Sequence, residues 1–407
     1  MRDERASAAP RQPVAAVFRA FLALGLTSFG GPVAHLGYFH EAFVVRRRWL
    51  EERAYADLVA LCQFLPGPAS SQVGIGIGLA TAGLPGALAA WLGFTMPSAL
   101  AMLAFGYGIV AMGDVIAPGV LHGLKVVAVA VVAQAVWGMA RTLSPDPPRA
   151  TLAVLAALAV LAAPMPLVQV AVIVAGGLAG ALCLRAEVDA RPVSLGIDIG
   201  TGLAASALAL FFVLLAGLPL LAGAFPAHAL ALVDSFYRAG SLVFGGGHVV
   251  LPLLQSEVVP PGWVSRDAFL AGYGAAQAVP GPLFTFAAYL GAVNGSAPHG
   301  WQGAALCLVA IFAPSFLLVA GVLPFWERLR RLQAVQRALL GINAAVVGLL
   351  LAALYDPVWT GAIVSSADFG LALAAFALLA FWRVPPWLVV ILCAAGGFAL
   401  ELLAGAR

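Results

Sequence analysis

Gln63-Phe64-Leu65-Pro66-Gly67-Pro68 comes round again, two hundred residues on, as Gln277-Ala278-Val279-Pro280-Gly281-Pro282. Both copies sit inside apolar runs long enough to cross a bilayer. Proline has no amide hydrogen and clashes with the preceding turn, so Pro-Gly-Pro does not continue a straight helix. In lipid each freed backbone group needs a partner, so a broken helix is tolerated only beside protein or a wet cavity. A matched pair of interruptions in two halves of one chain points to a transporter binding site.

The composition agrees. Of 407 residues, 62% are hydrophobic and 10% charged, with a mean hydropathy of +1.00, against about 25% charged in soluble chains. Long apolar runs follow one another along nearly the whole length, and the ~10-residue alternation of a transmembrane barrel is absent. The net charge of +3 comes without a basic tract interleaved with aromatics, which argues against nucleic acid as a partner. Cys62, Cys183, Cys307 and Cys393 stand singly, so neither a zinc site nor a disulfide framework is expected. The polar start, Met1 to Pro13, does not have the form of a cleaved signal peptide.

About thirteen spans are expected, near 14–30, 57–80, 83–110, 118–140, 150–163, 166–184, 199–222, 230–250, 268–293, 300–325, 335–354, 362–381 and 386–404. The fifth is short and stops at Pro164. Landmarks repeat in order. Phe29-Gly30-Gly31-Pro32 returns as Phe244-Gly245-Gly246-Gly247, Trp49 as Trp263, Tyr55 as Phe269, and Pro97-Ser98 as Pro314-Ser315. The chain therefore divides into a cytoplasmic tail (1–13), a first repeat (14–190), a linker with an inverting span (191–228) and a second repeat (229–407). If every span crosses, seven crossings separate the two copies, which then run in opposite directions. The expected fold is an all-α polytopic membrane protein with two inverted-topology repeats and broken helices.

With the N-terminus inside, Arg2, Arg5, Arg11, Arg141, Arg149, Arg185, Arg191, Arg328, Arg330, Arg331 and Arg383 fall on the cytoplasmic side. Arg46-Arg47-Arg48 falls outside, against the rule. A re-entrant hairpin at each Phe-Gly-Gly scores about as well; full crossing is the preferred expectation.

The chemistry is sought at the breaks. Pro68 and Pro282 are suited to open half-helices, leaving the amides of Ala69, Ser70 and Ser71 and of Leu283, Phe284 and Thr285 unpaired by the helix. Such an N-terminus carries about half a positive charge and free donors, an anion site. The candidate substrate residues are Gln63, Pro66, Gly67, Pro68, Ser70, Ser71, Gln277, Pro280, Gly281, Pro282 and Thr285. The glycine breaks add Gly30, Gly31, Gly245 and Gly246; small residues that serve only helix packing are the blander reading. Lys125, the one lysine, lies in a span, where it either neutralises substrate or snorkels to an interface. His35 and His248 are the candidates to carry a coupling proton, the alternative being structural histidines. Acids within spans are scarce, which favours an anionic cargo. No GxSxG, HExxH, Walker or paired-carboxylate motif appears, so neither an enzyme nor a cofactor is expected.

Phe29-Gly30-Gly31-Pro32-Val33-Ala34-His35, Arg47-Arg48-Trp49 and Ala60 through Gln72 resemble the amino-half pattern of the chromate ion transporter family. Phe244 through Pro252 and Gly272 through Pro282 resemble its carboxy half. The resemblance covers both halves, as in the family's long, two-domain members. It implies a bacterial inner-membrane exporter of chromate, with sulfate as mimic and competitor, halves of opposite orientation, and use of the proton-motive force. It assigns no residue to the anion. Uptake of sulfate or another oxyanion on the same scaffold makes the same chemical demands and stays open. An intramembrane enzyme is the reading from another class. A homodimer would be ordinary for such carriers, though no residue demands one.

Overall fold

The computed structural model describes residues 11–112, 118–163, 165–186 and 199–405; among them the chain is helical and contains no strand. Expectations on residues 1–10, Pro164 and 187–198, including Arg2, Arg5 and Arg191, lie outside the described residues. Among the described residues, seven helices are long and apolar enough to cross a membrane, within Ala69–Ala111, Pro118–Leu143, Pro166–Cys183, Thr201–Ala224, Gly300–Leu329, Gln333–Ala362 and Pro386–Leu403. The thirteen expected spans are therefore not all continuous helices, and the two repeated motifs supply the reason.

The first half opens with α1 (Val14–Thr27), which stops at Ser28-Phe29-Gly30; α2 (Gly31–Phe39) follows and continues as a π-helical turn over His40–Arg46. Gly30 and Gly31 have φ of +102° and +77°, a region where a Cβ clashes with the following carbonyl. The Phe21 ring lies 4.7 Å from that of Phe43. Twenty-two positions of unbroken helix would hold those rings roughly 33 Å apart. The chain doubles back. It does so again between α3 (Glu52–Phe64) and α4 (Ala69–Met112), which bends sharply at Ala82 and Gly83. A Cβ added to Gly76 on the returning limb would sit 2.6 Å from Leu58 on the entering one. The limb 84–112 then runs on past the hairpin, packed against α1, where a Cβ at Gly93 would lie 2.7 Å from the Phe18 carbonyl. Helices α5 (Pro118–Leu143), α6 (Pro147–Ala162) and α7 (Pro166–Cys183) complete the half, and α8 (Thr201–Ala224) is the linking span.

The second half repeats the plan. Helices α9 (His228–Leu242) and α10 (Val250–Val258) flank the glycine break, and the Ser235 hydroxyl donates to Glu257 at 2.8 Å across it. Helices α11 (Arg266–Ala276) and α12 (Phe286–Val293) flank the second Pro-Gly-Pro, and the Tyr289 hydroxyl donates to the Ala268 carbonyl at 2.8 Å. Helix α13 (Gly300–Val322) leads through the short α14 (Trp326–Leu329) to α15 (Gln333–Ala353), the single turn α16 (Thr360–Ala362), α17 (Ser366–Ala380) and α18 (Pro386–Gly405). All four breaks are reversals, and full crossing at them is overturned: the opposite arms of each break touch side by side.

The halves exchange contacts reciprocally. The Gly67 amide donates to the Val243 carbonyl at 2.7 Å, and the Gly281 amide donates to the Ser28 carbonyl at 2.9 Å. A Cβ at Gly67 would lie 3.0 Å from Ser315 Oγ, and one at Gly281 would lie 2.8 Å from Ser98 Oγ. Farther out, a Cβ on Gly180 of α7 would stand 2.8 Å from Gly341 Cα of α15, and one on Gly397 of α18 would stand 2.8 Å from Gly123 Cα of α5. In each pair the repeat-counterparts have swapped partners. Small residues let these backbones approach, as membrane helices without a hydrophobic drive between them require.

The hairpins' open ends are separated along one helix. In the first half the Gln12 amide donates to Thr81 at 2.9 Å, closing entry onto exit. In the second, His228 Nε2 lies 3.1 Å from Asn294 Oδ1, and the Gly295 amide donates to Trp263 at 3.0 Å. The limb 84–112 starts beside the first group and brings Tyr107 to the second, where its hydroxyl accepts from the Trp301 amide at 2.9 Å. From 84 to 107 a helix rises roughly 35 Å, more than a hydrocarbon core.

Candidate functional site

A cavity of about 630 Å³ forms where hairpin tips of both halves converge on α5 and on the loop between α17 and α18. Gly30 and Gly31 reach it from the first half, His248, Gln277 and Gly281 from the second, with Gln134 on α5 and Arg383 in the loop. The start of α2 opens onto it, so that helix presents its positive end and leading amides there. Arg383 is held at φ +53° and has no ion-pair partner among the described residues. Gln134 Nε2 donates to the Leu379 carbonyl at 3.2 Å, which ties α5 to that loop. His248 Nδ1 lies 2.8 Å from the Tyr273 hydroxyl. No carboxylate lines the cavity among the described residues. A guanidinium, a helix N-terminus and amide side chains without a compensating acid make a site for an anion.

The sequence candidates divide. Gly30, Gly31, Gln277, Gly281 and His248 line the cavity; the first Pro-Gly-Pro is packed into the seam between the halves instead. Gln63 is exposed, the Pro66 carbonyl accepts from Gln72 Nε2 at 2.6 Å, and the Pro68 carbonyl accepts from the Gln72 amide at 2.9 Å. Ser70 and Ser71 are buried. Helix α4 begins at Ala69, so Pro68 stands one position before it, as Pro282 stands before the turn Leu283–Thr285. Thr285 departs from expectation: its amide and its hydroxyl both donate to the Pro282 carbonyl, at 3.0 and 2.9 Å, so neither is a free donor. Pro280 and Pro282 flank Gly281 and brace the tip. Gly245 and Gly246 lie against Met139, with Leu143 and Asn343 also near Gly245. Lys125 donates to Asp267 at 3.0 Å and is not among the cavity residues.

His35 is buried between Ser70 Oγ, 3.3 Å from Nδ1, and the Ser28 carbonyl, 3.2 Å from Nε2. A carbonyl only accepts, which assigns the proton to Nε2 and makes Nδ1 an acceptor from Ser70. Around this seam the hydroxyls of Ser28, Ser71, Thr95 and Ser315 are buried without a hydrogen-bond partner among the described residues.

Sequence reasoning missed Gln134 and Arg383. Arg383 had entered only as a topological charge; its Phe-Trp-Arg-Val-Pro-Pro surroundings, a short turn between apolar runs, were the available signal.

A family model described as chromate transporter matches residues 15–181 and 230–398. The chain is 30% identical over 389 residues to a chromate transport protein of Pseudomonas aeruginosa, covering 93% of this chain and 90% of that one. It is 28% identical over 339 residues to a chromate transport protein of Cupriavidus metallidurans, covering 81% and 78%. An uncharacterised transporter of Methanocaldococcus jannaschii is 27% identical over 344 residues, covering 83% and 82%. No solved structure matches.

Proposed function

The chain belongs to the chromate transporter family, and on that premise we propose that it is a secondary transporter that exports chromate, a tetrahedral dianion, from the cytoplasm of a bacterium. It is a multi-pass membrane protein. The observation that carries the reading is the cavity shared by the α2 N-terminus and Arg383, lined by no acid among the described residues. Chromate sits there with its oxygens toward the leading amides of α2 and the guanidinium, and Gln134 and Gln277 supply neutral donors.

The two repeats are inverted about an axis through the seam. The swapped glycine contacts and the open ends, set apart by a helix rise of roughly 35 Å, support this. With the tail inside, the reversals bring Arg46, Arg47 and Arg48 to the cytoplasmic side, with Arg141, Arg149, Arg328, Arg330, Arg331 and Arg383. The objection raised by full crossing disappears. The cavity then opens toward the cytoplasm, where an exporter loads. The other end of α5 and α11 is tied by Lys125 to Asp267 and by Arg266 to Asp356.

A dianion leaving a negative interior gains about 4.6 kcal/mol per 100 mV, twice the single-charge value. Potential therefore suffices to drive export, and proton antiport adds to it. Of the histidines, His248 has access to the cavity, while His35 has both nitrogens engaged. Everted vesicles containing the protein should take up radiolabelled chromate when the potential is clamped positive inside, and sulfate should compete. Absence of flux, together with unchanged chromate sensitivity of the expressing cells, would overturn the proposal. Sulfate flux in the opposite sense would replace it with uptake.

A further inference from the structure

Arg238 lies on α9, the entering arm of a re-entrant hairpin, and is held by two carboxylates. Its Nε and Nη2 donate to Asp234 at 2.8 to 3.1 Å, and its Nη1 and Nη2 donate to Glu257 at 2.8 Å. Ser235 also donates to Glu257. All three charged side chains are largely buried, with Asp234 only 8% exposed. Ionised throughout, the cluster carries one net negative charge; with one proton added it is neutral. A net charge buried away from water costs more than a cluster whose charges balance.

A second observation is independent of these bonds. Gln169 on α7 is 3% exposed, its Oε1 has no partner among the described residues, and it lines a small cavity of about 10 Å³ together with Arg238, Ser256 and Glu257. That volume is on the scale of one water, so an unmet acceptor and room for a proton carrier meet beside the carboxylates. The helices packed on α9 and α10 offer few competing groups. Helix α13 has Cys307, α7 has Cys183, α15 has Arg337, α8 has none, and His248 precedes α10; Tyr237 and His228 share α9.

We infer that the Asp234–Arg238–Glu257 cluster is a proton-binding site that couples chromate export to proton entry. The inference rests on the transport reading above. A proton adds to one oxygen of Asp234 or Glu257, the guanidinium keeps its charge, and the proton leaves to water on the opposite side when the cluster ionises again. The cluster clasps α9 to α10, the two arms of one hairpin. That hairpin's tip carries Val243, which receives the Gly67 amide, and His248 of the cavity wall. Neutralising one carboxylate loosens the clasp and frees the tip to move. The first half has no counterpart, since Ala23 stands opposite Arg238 and Ala42 opposite Glu257 in the repeat.

The test uses the full chain in everted vesicles, with potential and pH gradient clamped separately. E257Q and D234N each leave one carboxylate on Arg238, a neutral pair. Chromate uptake driven by potential should stay within about twofold of wild type, while acceleration by an acidic lumen should fall at least fivefold. Chromate-dependent proton movement, read by an entrapped pH dye, should fall in parallel. A full pH-gradient response in both variants would overturn the assignment, as would a wild-type protein that carries chromate with no response to the gradient. No chromate flux in wild type would instead remove the transport reading. Should both variants fail to fold, purified wild-type protein decides: saturating chromate must shift its bound protons, and an unchanged dye signal would sink the coupling.

Discussion

The Gly67 amide meets the Val243 carbonyl at 2.7 Å, and with that bond the Pro-Gly-Pro tip of one half closes onto the glycine tip of the other. The bond between Gly281 and Ser28 is its repeat-related partner. Neither glycine amide is satisfied within its own half. Backbone left unpaired by a break in lipid must find a partner, and each half supplies the partner for the other.

Replacing Gly67 or Gly281 by alanine should cripple the protein before any question of substrate arises. Both have positive φ, +124° and +98°, a strain of about 1–2 kcal/mol for a residue with a Cβ. The new methyl would also stand 2.6 Å from Gln72 Nε2 in the first case and 2.8 Å from Ser98 Oγ in the second. G67A and G281A should each lose most of the monodisperse, detergent-soluble protein. G108A, whose Cβ meets nothing within 4 Å on a regular helix, should match wild type. Equal yields of all three would mean that the seam is soft.

Arg383 should act on affinity. R383Q leaves the fold intact, since the side chain has no ion-pair partner among the described residues and sits in an exposed turn. Loss of a charge-assisted bond of about 1.5–3 kcal/mol should raise the chromate KM by roughly ten- to a hundredfold, and R383K should recover part of it. Initial rates in everted vesicles over a range of chromate concentrations check this. A lowered maximal rate at unchanged KM would place Arg383 in gating.

Much of this was legible in the chain, and the part that was not has a physical cause. Pro66-Gly67-Pro68 and Gly30-Gly31 marked the breaks because proline and positive φ forbid a regular helix. Whether a break bends or reverses depends on what the arms touch, and the contact of Phe21 with Phe43 carries no local signature. The site was half legible. Gly30, Gly31, Gln277, Gly281 and His248 were found because they lie in or beside the repeated motifs. Gln134 was missed because it lies in the middle of a plain apolar span. Ser70 and Thr285 were expected at the anion; instead Ser70 bonds His35, and Thr285 caps its own turn.

Reversal at the first glycine break predicts which face is reached by an impermeant thiol reagent. Cys62, Cys307 and Cys393 are buried and Cys183 is exposed, so C183S is the background. V45C should label in everted vesicles and not in intact spheroplasts, because the returning arm ends on the entry side. H299C, in an exposed stretch before α13, should show the opposite pattern. Labelling of V45C from outside would restore full crossing.

Asp57 and Arg330 form a buried ion pair between α3 of the first half and the turn before α15 of the second. Their side chains are 4% and 11% exposed, so solvent screens the pair little. Removing one partner from such a pair costs about 3–5 kcal/mol, whereas removing both is often close to neutral. D57N should therefore lower the unfolding temperature of the purified protein by several degrees, and R330Q should do the same. The double variant should recover most of the loss, because neither charge is then left in the seam. The same cycle separates stability from transport. If the pair is only a tie between halves, the double variant carries chromate at the wild-type rate. If it opens during the cycle, the double variant is stable but its maximal rate shifts, and the unfolding temperature alone would not reveal it.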